Sequence, residues 1–471
     1  MAEPDSEALM TVQQAIRLLD EVAISTNIIN VPLDQSVGLR LAQDLLADRD
    51  YPPFQKSLMD GYAVRSVDVV GGRADLRVVG TISAGQAPHR QLQHGETMAI
   101  MTGAALPGGA DGVVPVEDVA ARVAVGGSIK VLRAPGPGRY VAARGSDCYI
   151  GHKVLTKGTV IGSPQIAVMA SIGAAEVECF ARPRVAILGT GDELVAVEKK
   201  PADTQIRDSN THMLAALLKR LGCDVVNIAT APDDPDLIRS AMVRGMAYDV
   251  LFISGGMSMG EFDYVPRMLK ELGVDIKIAK LRIKPGKPFV FGVGEGSGPG
   301  VRGSGKTTQI PGETVAQPLT QGSAGVGTDA PATPINSTAD SSPNPEPQTL
   351  KPSPCYIFGL PGNPVSTYVC TLRLASRLLT RLGGGVPEDR WVSGRLDGGL
   401  LANGPREFYQ PAIRHWGQGQ HSMHAAFATI TPLQWKGSAD MFTLATANVL
   451  IVRAENEPAF PKGTVVRVLE I

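Results

Sequence analysis

The sequence lacks any hydrophobic run of the kind that spans a membrane, because no stretch of about 18 consecutive apolar residues occurs in it. Its first ten residues, MAEPDSEALM, are acidic and contain no apolar signal-peptide segment. Its formal net charge is only −1, from 45 basic and 46 acidic side chains among 471 residues. These absences predict a cytoplasmic protein with neither membrane nor nucleic acid as a partner.

Cysteine and aromatic residues are also scarce. The five cysteines are scattered and form no CxxC pair, which argues against a disulfide framework or a thiolate zinc site. Aromatic residues make up only 5% of the chain, whereas glycine occurs 53 times and proline 35 times. This composition indicates a turn-rich protein with many short elements, and its length predicts about three domains.

The order of strand-like and helix-like segments predicts the kinds of domain. A helix over residues 8–24, with Thr11 as its N-cap, precedes short strands separated by glycine-rich turns. From 184 to 382, near-continuous apolar strands alternate with amphipathic helices, which indicates an α/β sheet covered on both faces. The segment KLRI (280–283) is among these predicted strands. The remainder of the chain is strand-like again, which predicts a C-terminal β domain.

Residues 294–354 interrupt the α/β pattern. They hold ten of the 35 prolines and ten glycines but no aromatic residue, so they cannot bury enough apolar area to offset chain entropy. We therefore expect a disordered, low-complexity insertion between two strands. Within it, Gly300–Thr307 matches the phosphate-loop pattern GxxxxGK[ST], but no strand directly precedes it and the following TQIPGETVAQP does not form a helix. A nucleotide site at Lys306 is the weakest of the alternative functions.

Glycine and acidic residues follow two of the predicted strands. GTGDEL (189–194) comes after RVAIL, and SGGMSMGEFDYV (254–265) comes after DVLFI. Each turn alone is explained equally well by a tight strand–helix connection with solvated acids. Because the carboxyl ends of parallel strands meet at one edge of a sheet, where ligands bind, the two turns together predict a shared site. Gly255 and Gly256 would let the backbone approach a ligand closely.

Cations and a helix start are predicted at the same edge. RIKPGKPF (282–289) holds Lys284 and Lys287 in a proline-rich, extended segment, which suits an anion held in a fixed position. In LPGNPVS, Asn363 and Pro364 have the character of an N-cap and a first-turn proline. The edge thus offers acids for a divalent metal, and cations with a positive helix end for an oxyanion.

These segments together resemble the molybdopterin molybdenumtransferases, the bacterial MoeA type and the E domain of gephyrin. The matching segments occur in the family's order over nearly the whole chain, apart from the 294–354 insertion. They are PPFQKSLMDGYAV, IMTGAALPGGADGVVPVED, GTGDELV, DSNTHML, APDDP, SGGMSMGEFDYV, KPGKPF, LPGNPVS, REFYQP and GSADMFTLATANVLIV.

The resemblance implies a multidomain α/β plus β fold in four parts. These are an elongated mixed domain (1–47 and 141–181), an inserted β-rich domain (48–140), a central molybdopterin-binding-type α/β sheet domain (182–385, with the insertion at 294–354) and a C-terminal β-barrel-like domain (386–471).

The resemblance also implies an activity: insertion of molybdate into adenylylated molybdopterin, with release of AMP and formation of molybdenum cofactor. Mg²⁺ would be required, and adenylylated molybdopterin and molybdate would be the substrates. The implied assembly is a homodimer, and molybdopterin adenylyltransferase and molybdoenzyme apoproteins are further candidate partners. The main alternative is a binding protein that keeps the fold without turnover, and the retained acids and lysines favour catalysis over it.

Roles at individual positions are likewise implied by the resemblance. The residues with implied catalytic roles, the first two of which would face the active site from the second domain, are Asp60, Thr102, Glu193 and Asp263. The positions implied to bind substrate or molybdate are Gly255, Gly256, Lys284, Lys287, Ser366, Arg406 and Ser438. The acids implied to handle Mg²⁺ are Glu193, Asp263 and one of Asp233 or Asp234.

Overall fold

The computed structural model describes residues 9–72, 74–257, 265–296, 314–315, 353–415 and 428–471. In these ranges no helix combines the length and the apolar character that a bilayer crossing requires. The chain divides into two compact units. The smaller unit is Ile28–Cys179, and the larger unit is Met1–Asn27 together with Phe180–Ile471.

The first helix of the larger unit is the one that the sequence predicts. Helix α1 spans Val12–Glu21, and Thr11 is its N-cap. The Thr11 hydroxyl accepts a hydrogen bond from the Gln14 N–H (3.1 Å), and the Gln14 side chain accepts one from the Thr11 N–H (2.9 Å). This reciprocal pair satisfies N–H groups that a helix start otherwise leaves unpaired.

The smaller unit consists mainly of short strands and confirms the β-rich character predicted for this part of the chain. Its elements are β1 (Ile28–Pro32), β2 (Arg40–Leu41), β3 (Leu45–Leu46), β4 (Lys56–Ser57), β5 (Gly61–Val64), β6 (Ala74–Ile82), β7 (Glu96–Ile100), β8 (Gly112–Pro115), β9 (Ser128–Val131), β10 (Val141–Ala142), β11 (Lys153–Leu155), helix α2 (Ser163–Ser171) and β12 (Glu176–Phe180). The largest sheet has five strands in the order β8-β5-β7-β6-β9, and β1, β12 and β2 form a second sheet.

A seven-stranded sheet forms the centre of the larger unit. The strands and helices of this region are β13 (Arg184–Thr190), β14 (Leu194–Val195), β15 (Ile206–Arg207), α3 (Asn210–Arg220), β16 (Asp224–Ala231), α4 (Pro235–Gly245), β17 (Val250–Ser254), α5 (Val265–Glu271), β18 (Asp275–Ile278), β19 (Ile283–Lys284), β20 (Val290–Glu295), β21 (Thr314–Val315), β22 (Pro354–Leu360), α6 (Pro364–Cys370), a π-helical turn (Thr371–Ala375) and α7 (Ser376–Leu382). The strand order is β18-β20-β22-β17-β13-β16-β21, with β13, β16, β17 and β22 parallel.

Both faces of this sheet are covered, as the sequence predicts. Side chains alternate along β13, so that Val185 and Ile187 enter the core shared with α1, α3 and α7, whereas Ala186 and Leu188 enter the core shared with α4 and α5. Because a strand buried on both faces needs apolar residues at every position, its sequence is an uninterrupted apolar run.

The end of the chain forms a β-barrel, which confirms the predicted C-terminal architecture. Its elements are β23 (Trp391–Leu396), β24 (Glu407–His415), β25 (Ala428–Pro432), α8 (Met441–Thr446), β26 (Val449–Arg453) and β27 (Val465–Glu470). The strands pair in the order β24-β25-β23-β27-β26, and β26 pairs back onto β24, which closes five strands into a barrel.

One predicted strand belongs to a different sheet. The segment KLRI was expected in the α/β sheet, but the strand there is β19, which pairs in parallel with Glu407 and Phe408 of β24 and so extends the barrel sheet. The place at the edge of the central sheet is taken by β18, which pairs with β20. An apolar pattern reports that a strand is buried and does not identify its partner, so the prediction was wrong on this point.

The predicted insertion lies between two antiparallel neighbours in the central sheet, β20 and β22. The pairing continues into the predicted 294–354 range, because Glu295 is opposite Pro354 and the Gly296 N–H donates to the Ser353 carbonyl (3.0 Å). Within that range, Thr314 and Val315 form β21 and pair with β16. Residues 297–313 and 316–352, including the Gly300–Thr307 match, lie outside the described residues.

Candidate functional site

A cavity of about 380 Å³ lies at the carboxyl ends of the parallel strands of the central sheet. This edge is where open α/β sheets bind ligands. The turns after β13, β17 and β22 and the segment before α3 contribute most of its wall. The lining residues are Gly189, Thr190, Gly191, Glu193, Leu194, Ile206, Arg207, Asp208, Ser209, Asn210, Asp233, Ser254, Gly255, Gly256, Met257, Pro288, Pro361, Gly362, Asn363, Pro364, Ala439 and Met441.

Two of the predicted acids, Glu193 and Asp233, line this cavity together. Glu193 follows β13, and its carbonyl accepts a hydrogen bond from the Ile206 N–H (2.8 Å). Asp233 follows β16, and its N–H donates to Asp192 Oδ1 (2.9 Å), so that Asp192 holds the two turns together. The carboxyl ends of neighbouring strands therefore bring the two predicted acids to one wall.

The two candidate acids Asp233 and Asp234 have different environments. Asp234 is the N-cap of α4, and its Oδ1 accepts hydrogen bonds from the N–H groups of Asp236 and Leu237 (2.9 Å each). Of the pair, Asp233 is the one that lines the cavity. The structure thus places Asp233 on the cavity wall and Asp234 at the N-terminus of α4, and which of them contacts Mg²⁺ stays a prediction.

Magnesium fits this donor set. In the described part of the chain no group of three His, Cys, Asp or Glu side chains is arranged to hold a metal. Mg²⁺ does not require such a group, because it keeps several waters and is commonly bound by one or two carboxylates plus substrate phosphate oxygens. Glu193 and Asp233, which both line the cavity, can supply such carboxylates.

Asp208 is a site residue that our interpretation of the sequence missed. Only 4% of its surface is exposed, and its carboxylate accepts hydrogen bonds from the Thr211 N–H (3.1 Å), the Thr211 hydroxyl (2.7 Å) and the Thr230 hydroxyl (3.1 Å). These donors offset the cost of burying the carboxylate. The available signal was the segment DSNTHML, in which Asp208 lies just before a predicted helix.

Asn210 connects three of the turns that form the cavity. Its Nδ2 donates to the Ser254 hydroxyl oxygen (3.1 Å) and to the Gly362 carbonyl (2.6 Å), which links the start of α3 to the ends of β17 and β22. Its Oδ1 and the Thr190 hydroxyl are buried without a hydrogen-bond partner among the described residues. Because both residues line the cavity, a bound ligand can supply the missing partners.

Gly255 is required by the backbone itself. Its φ of +103° lies in a region that favours glycine, and a Cβ there would lie 2.5 Å from the Thr190 carbonyl oxygen and 2.8 Å from the Thr190 hydroxyl oxygen. The close approach predicted for this glycine is therefore made to the neighbouring turn after β13. Gly256, with φ of +61°, continues the same turn along the cavity wall.

The predicted cations are not among the residues that line the cavity. Lys284 and Lys287 are both exposed, and neither lines the cavity, although Pro288 does. The Lys284 ammonium lies 4.9 Å from the centre of the Phe408 ring, which is a cation–π distance. The Lys287 carbonyl accepts hydrogen bonds from the N–H groups of Leu281 (3.1 Å) and Phe289 (3.0 Å), which fixes the turn that presents its side chain.

The start of α6 brings two predicted residues together. Asn363 is the N-cap residue, as expected, but its side chain makes no capping bond; its Nδ2 donates instead to the Ser438 hydroxyl oxygen (2.9 Å). The Val365 N–H donates to the Ser438 carbonyl (3.0 Å), while Ser366, in the first turn, is buried. Arg406 is half-buried and does not line the cavity.

The remaining predicted residues are Asp60, Thr102 and Asp263. Asp60 and Thr102 belong to the smaller unit, where the Thr102 N–H and hydroxyl both donate to Asp60 Oδ1 at 2.7 Å. The backbone hydrogen bond, and then the hydroxyl hydrogen bond, lower the pKa of Asp60 below its ordinary value of 3.8. Asp263 lies outside the described residues.

Two family models match the chain. Residues 10–173 match the MoeA N-terminal region (domain I and II), and residues 186–381 match the probable molybdopterin binding domain. A crystal structure of the molybdopterin biosynthesis MoeA protein from Pyrococcus horikosii superposes with a TM-score of 0.72 at 26% identity, covering 98% of this chain and 99% of that one.

Curated relatives agree with the family models. A molybdopterin molybdenumtransferase from Nostoc sp. is 30% identical over 441 residues, which cover 92% of this chain and 86% of the relative. The protein of the same name from Synechocystis sp. is 36% identical over 264 residues, 55% of this chain and 67% of the relative. The chain therefore belongs to the MoeA family of molybdopterin molybdenumtransferases, which are enzymes of the transferase class.

Proposed function

We propose that this protein, within molybdenum cofactor biosynthesis, inserts molybdate into adenylylated molybdopterin and releases AMP in a reaction that depends on Mg²⁺. The observation that carries the proposal is the cavity lined by both Glu193 and Asp233, whose lining also includes Pro288 of the segment that holds Lys284 and Lys287. Carboxylates beside cations suit a substrate pair in which a metal-bound phosphoanhydride must come close to the molybdate dianion.

The carboxylates of Glu193 and Asp233 would hold Mg²⁺ together with phosphate oxygens of the substrate. Mg²⁺ supplies polarisation of the phosphoryl group and stabilises the charge that develops as the bond to AMP breaks. The same two carboxylates would keep the adenylyl phosphate oriented along the wall that the Asp192 hydrogen bond fixes. Molybdenum would be bound by sulfur atoms of the substrate, so no cysteine or histidine cluster is required of the protein.

The turns at the strand ends would bind the pterin part of the substrate. The Thr190 hydroxyl and Asn210 Oδ1 would gain hydrogen-bond partners from the ligand that they lack in the described chain. Lys284, Lys287 and the start of α6 would hold molybdate and the terminal phosphate, because both are anions and α6 presents its positive end. Such a site accelerates the reaction mainly because it holds the two substrates close together in one orientation.

The test is release of AMP from adenylylated molybdopterin, measured with and without molybdate and with and without Mg²⁺. We expect molybdate-dependent AMP release with formation of molybdenum cofactor, and loss of both products in Glu193→Gln. The exposed acid Glu198, which does not line the cavity, provides the matched control Glu198→Gln. Binding of the adenylate without AMP release under any condition would instead identify a binding protein that has lost turnover.

We also propose that the protein works as a homodimer that receives its adenylylated substrate from a molybdopterin adenylyltransferase and delivers the cofactor to molybdoenzyme apoproteins. Family membership supports this proposal. Sedimentation equilibrium measures the dimer directly, and a mass of one chain at micromolar concentration would contradict it. Handover is measured as activation of a purified apoenzyme by the cofactor-loaded protein, compared with activation by the same amount of free cofactor.

A further inference from the structure

A buried arginine lies where the last helices of the central sheet meet the barrel. Arg373 is only 3% exposed and belongs to the π-helical turn between α6 and α7. π turns inside α-helices are rare and occur frequently at functional sites. Burial of a guanidinium is costly unless its N–H groups are paired, so its partners identify what it holds in place.

The partners of Arg373 lie on the barrel side. Its Nε donates to the Tyr409 hydroxyl oxygen (2.9 Å), its Nη1 lies 2.6 Å from Asp389 Oδ1, and its guanidinium lies 5.3 Å from the centre of the Trp391 ring. Tyr409 is fully buried, and its hydroxyl donates to the Glu407 carboxylate. Burial raises the pKa of Tyr409 well above its ordinary value of 10.0, so this hydroxyl keeps the proton that it donates.

Tyr409 and Glu407 are the neighbours of Phe408 at the start of β24. Phe408 contacts one cation of the proposed site and one further aromatic ring. Its ring lies 4.9 Å from the Lys284 ammonium, and it stacks on Trp435 with 5.8 Å between ring centres. Lys284 is also opposite Phe408 in the β19–β24 register, and the Glu407 N–H donates to the Arg282 carbonyl (3.0 Å).

The stacked Trp435 begins the segment that reaches the cavity. Three residues later, Ser438 accepts the Asn363 side-chain hydrogen bond at the start of α6, and Ala439 lines the cavity wall. The start of β24 therefore contacts both the strand that carries Lys284 and the loop that carries Ser438. A shift of β24 would move a cation and a hydroxyl of the site together.

We propose that Arg373 is a positioning residue, which holds Tyr409 and thereby fixes the start of β24, Lys284 and the Ser438 loop around the bound oxyanion. This inference rests on the proposed function, in which Lys284 and the start of α6, to which Ser438 is hydrogen-bonded, bind anionic groups. Arg373 itself contacts no substrate. A binding group that is misplaced by about 1 Å makes a weaker contact with its substrate, so a buried residue remote from the chemistry can change substrate binding.

The first test compares two arginines that share a partner. Arg377, in α7, pairs with Asp389 (3.4 Å) and with Asp20 (2.7 Å), on α1, instead of with Tyr409. We expect Arg373→Met to raise the KM for molybdate about tenfold while kcat stays within about threefold, since displacement of Lys284 would weaken its charged contact with the oxyanion and such a contact is typically worth about a tenfold change in binding. Arg377→Met should lower the Tm and leave that KM unchanged. Equal effects of the two variants on KM would overturn the inference.

A second pair of variants covers the case in which Arg373→Met does not fold. Tyr409→Phe keeps the buried ring and removes only the hydroxyl, and we expect the same rise in KM for molybdate. The double variant R373M/Y409F leaves no guanidinium unpaired, so part of the Tm lost in Tyr409→Phe should return while the KM stays high. A KM that returns to the wild-type value along with the Tm would show that Arg373 contributes to stability alone.

A measurement that does not depend on catalysis tests the positioning role of Arg373 independently of the proposed function. Hydrogen–deuterium exchange of the folded proteins should be faster in residues 281–289 and 405–410 of Arg373→Met than in the same residues of Arg377→Met. Unchanged exchange in those segments would contradict the positioning role, whatever the protein catalyses. Failure of the wild-type protein to release AMP would remove the proposed function and leave the exchange result to decide what Arg373 holds.

Discussion

The backbone N–H and the hydroxyl of Thr102 both donate to one carboxylate oxygen of Asp60, at 2.7 Å each. The two residues are 42 positions apart and lie on different turns of the smaller unit, so the turn after β7 holds the acid that precedes β5. Both hydrogen bonds favour the ionised carboxylate, and the pKa of Asp60 is lowered as a result.

The first prediction concerns this pair. Thr102→Val removes the hydroxyl and keeps the N–H, so the pKa of Asp60 should rise towards 3.8 without reaching it. Because the folded-state pKa is lowered, the contribution of Asp60 to stability is present above pH 3.8 and is lost as the pH falls through the folded-state value. Carboxyl carbon NMR of Asp60 measures the shift, and Thr81→Val, at an exposed threonine of β6, is the control. An unchanged titration would mean that the hydroxyl is not a donor in solution.

The second prediction separates the neighbouring acids Asp233 and Asp234. Asp233→Ala should raise the Mg²⁺ concentration for half-maximal AMP release about tenfold or more, because it removes a charged group from the cavity wall. Asp234→Ala should lower the free energy of unfolding by about 0.5–2 kcal/mol through loss of the α4 N-cap, with the Mg²⁺ requirement unchanged. Mg²⁺ titration and chemical denaturation of both variants measure these effects. The reverse pattern would make Asp234 the acid that contacts the metal.

The third prediction concerns Asn210. Asn210→Ala should lower the free energy of unfolding by about 1–3 kcal/mol, because it removes the hydrogen bonds to Ser254 and Gly362. It should also weaken binding of the pterin substrate, since the turns that form the cavity lose their common link. Calorimetric binding of molybdopterin to the variant measures this loss. His212→Ala, at an exposed position on α3, is the control, and equal loss in both variants would reject the specific role.

The fourth prediction concerns Lys287. Lys287→Ala should weaken molybdate use about tenfold to a hundredfold and leave adenylate binding nearly unchanged, because a single charged contact to the oxyanion is lost. Raising the molybdate concentration should restore most of the rate. Lys270→Ala, at an exposed lysine at the end of α5, controls for loss of positive charge. A rate that stays low at saturating molybdate would mean that Lys287 acts in the chemical step or in folding.

The sequence predicts the elements of this fold better than their partners. The strands of the central sheet are visible because burial on both faces demands uninterrupted apolar runs, as in Arg184–Thr190. KLRI was assigned to the wrong sheet because its pairing partner is distant in the sequence. Two residues, Ile283 and Lys284, pair with β24 more than a hundred positions later, and a local pattern contains no information about that distance.

The site residues also divide into those that a local sequence pattern predicts and those that depend on contacts between distant parts of the chain. Glu193 and Gly255 were predicted because each directly follows an apolar strand, and strand ends meet at one edge. Asp208 was missed because an acid before a helix is normally a solvated cap. Its burial depends on Thr230, which belongs to a different strand and approaches only in the folded chain. The link from Arg373 to Tyr409 likewise joins a helical turn to a barrel strand.

The antiparallel pairing of β20 with β22 has a consequence for how this chain can vary. The hydrogen bond between Gly296 and Ser353 holds both ends of the intervening segment at one point of the sheet edge. In general, once two chain ends are held at one point, each doubling of the length of a flexible connection between them costs only about 0.6 kcal/mol. The pairing of Gly296 with Ser353 therefore does not itself fix the number of residues between β20 and β22, although Thr314 and Val315 within that range pair with β16. Residues can be gained or lost in this connection without changing any of the residues that line the cavity.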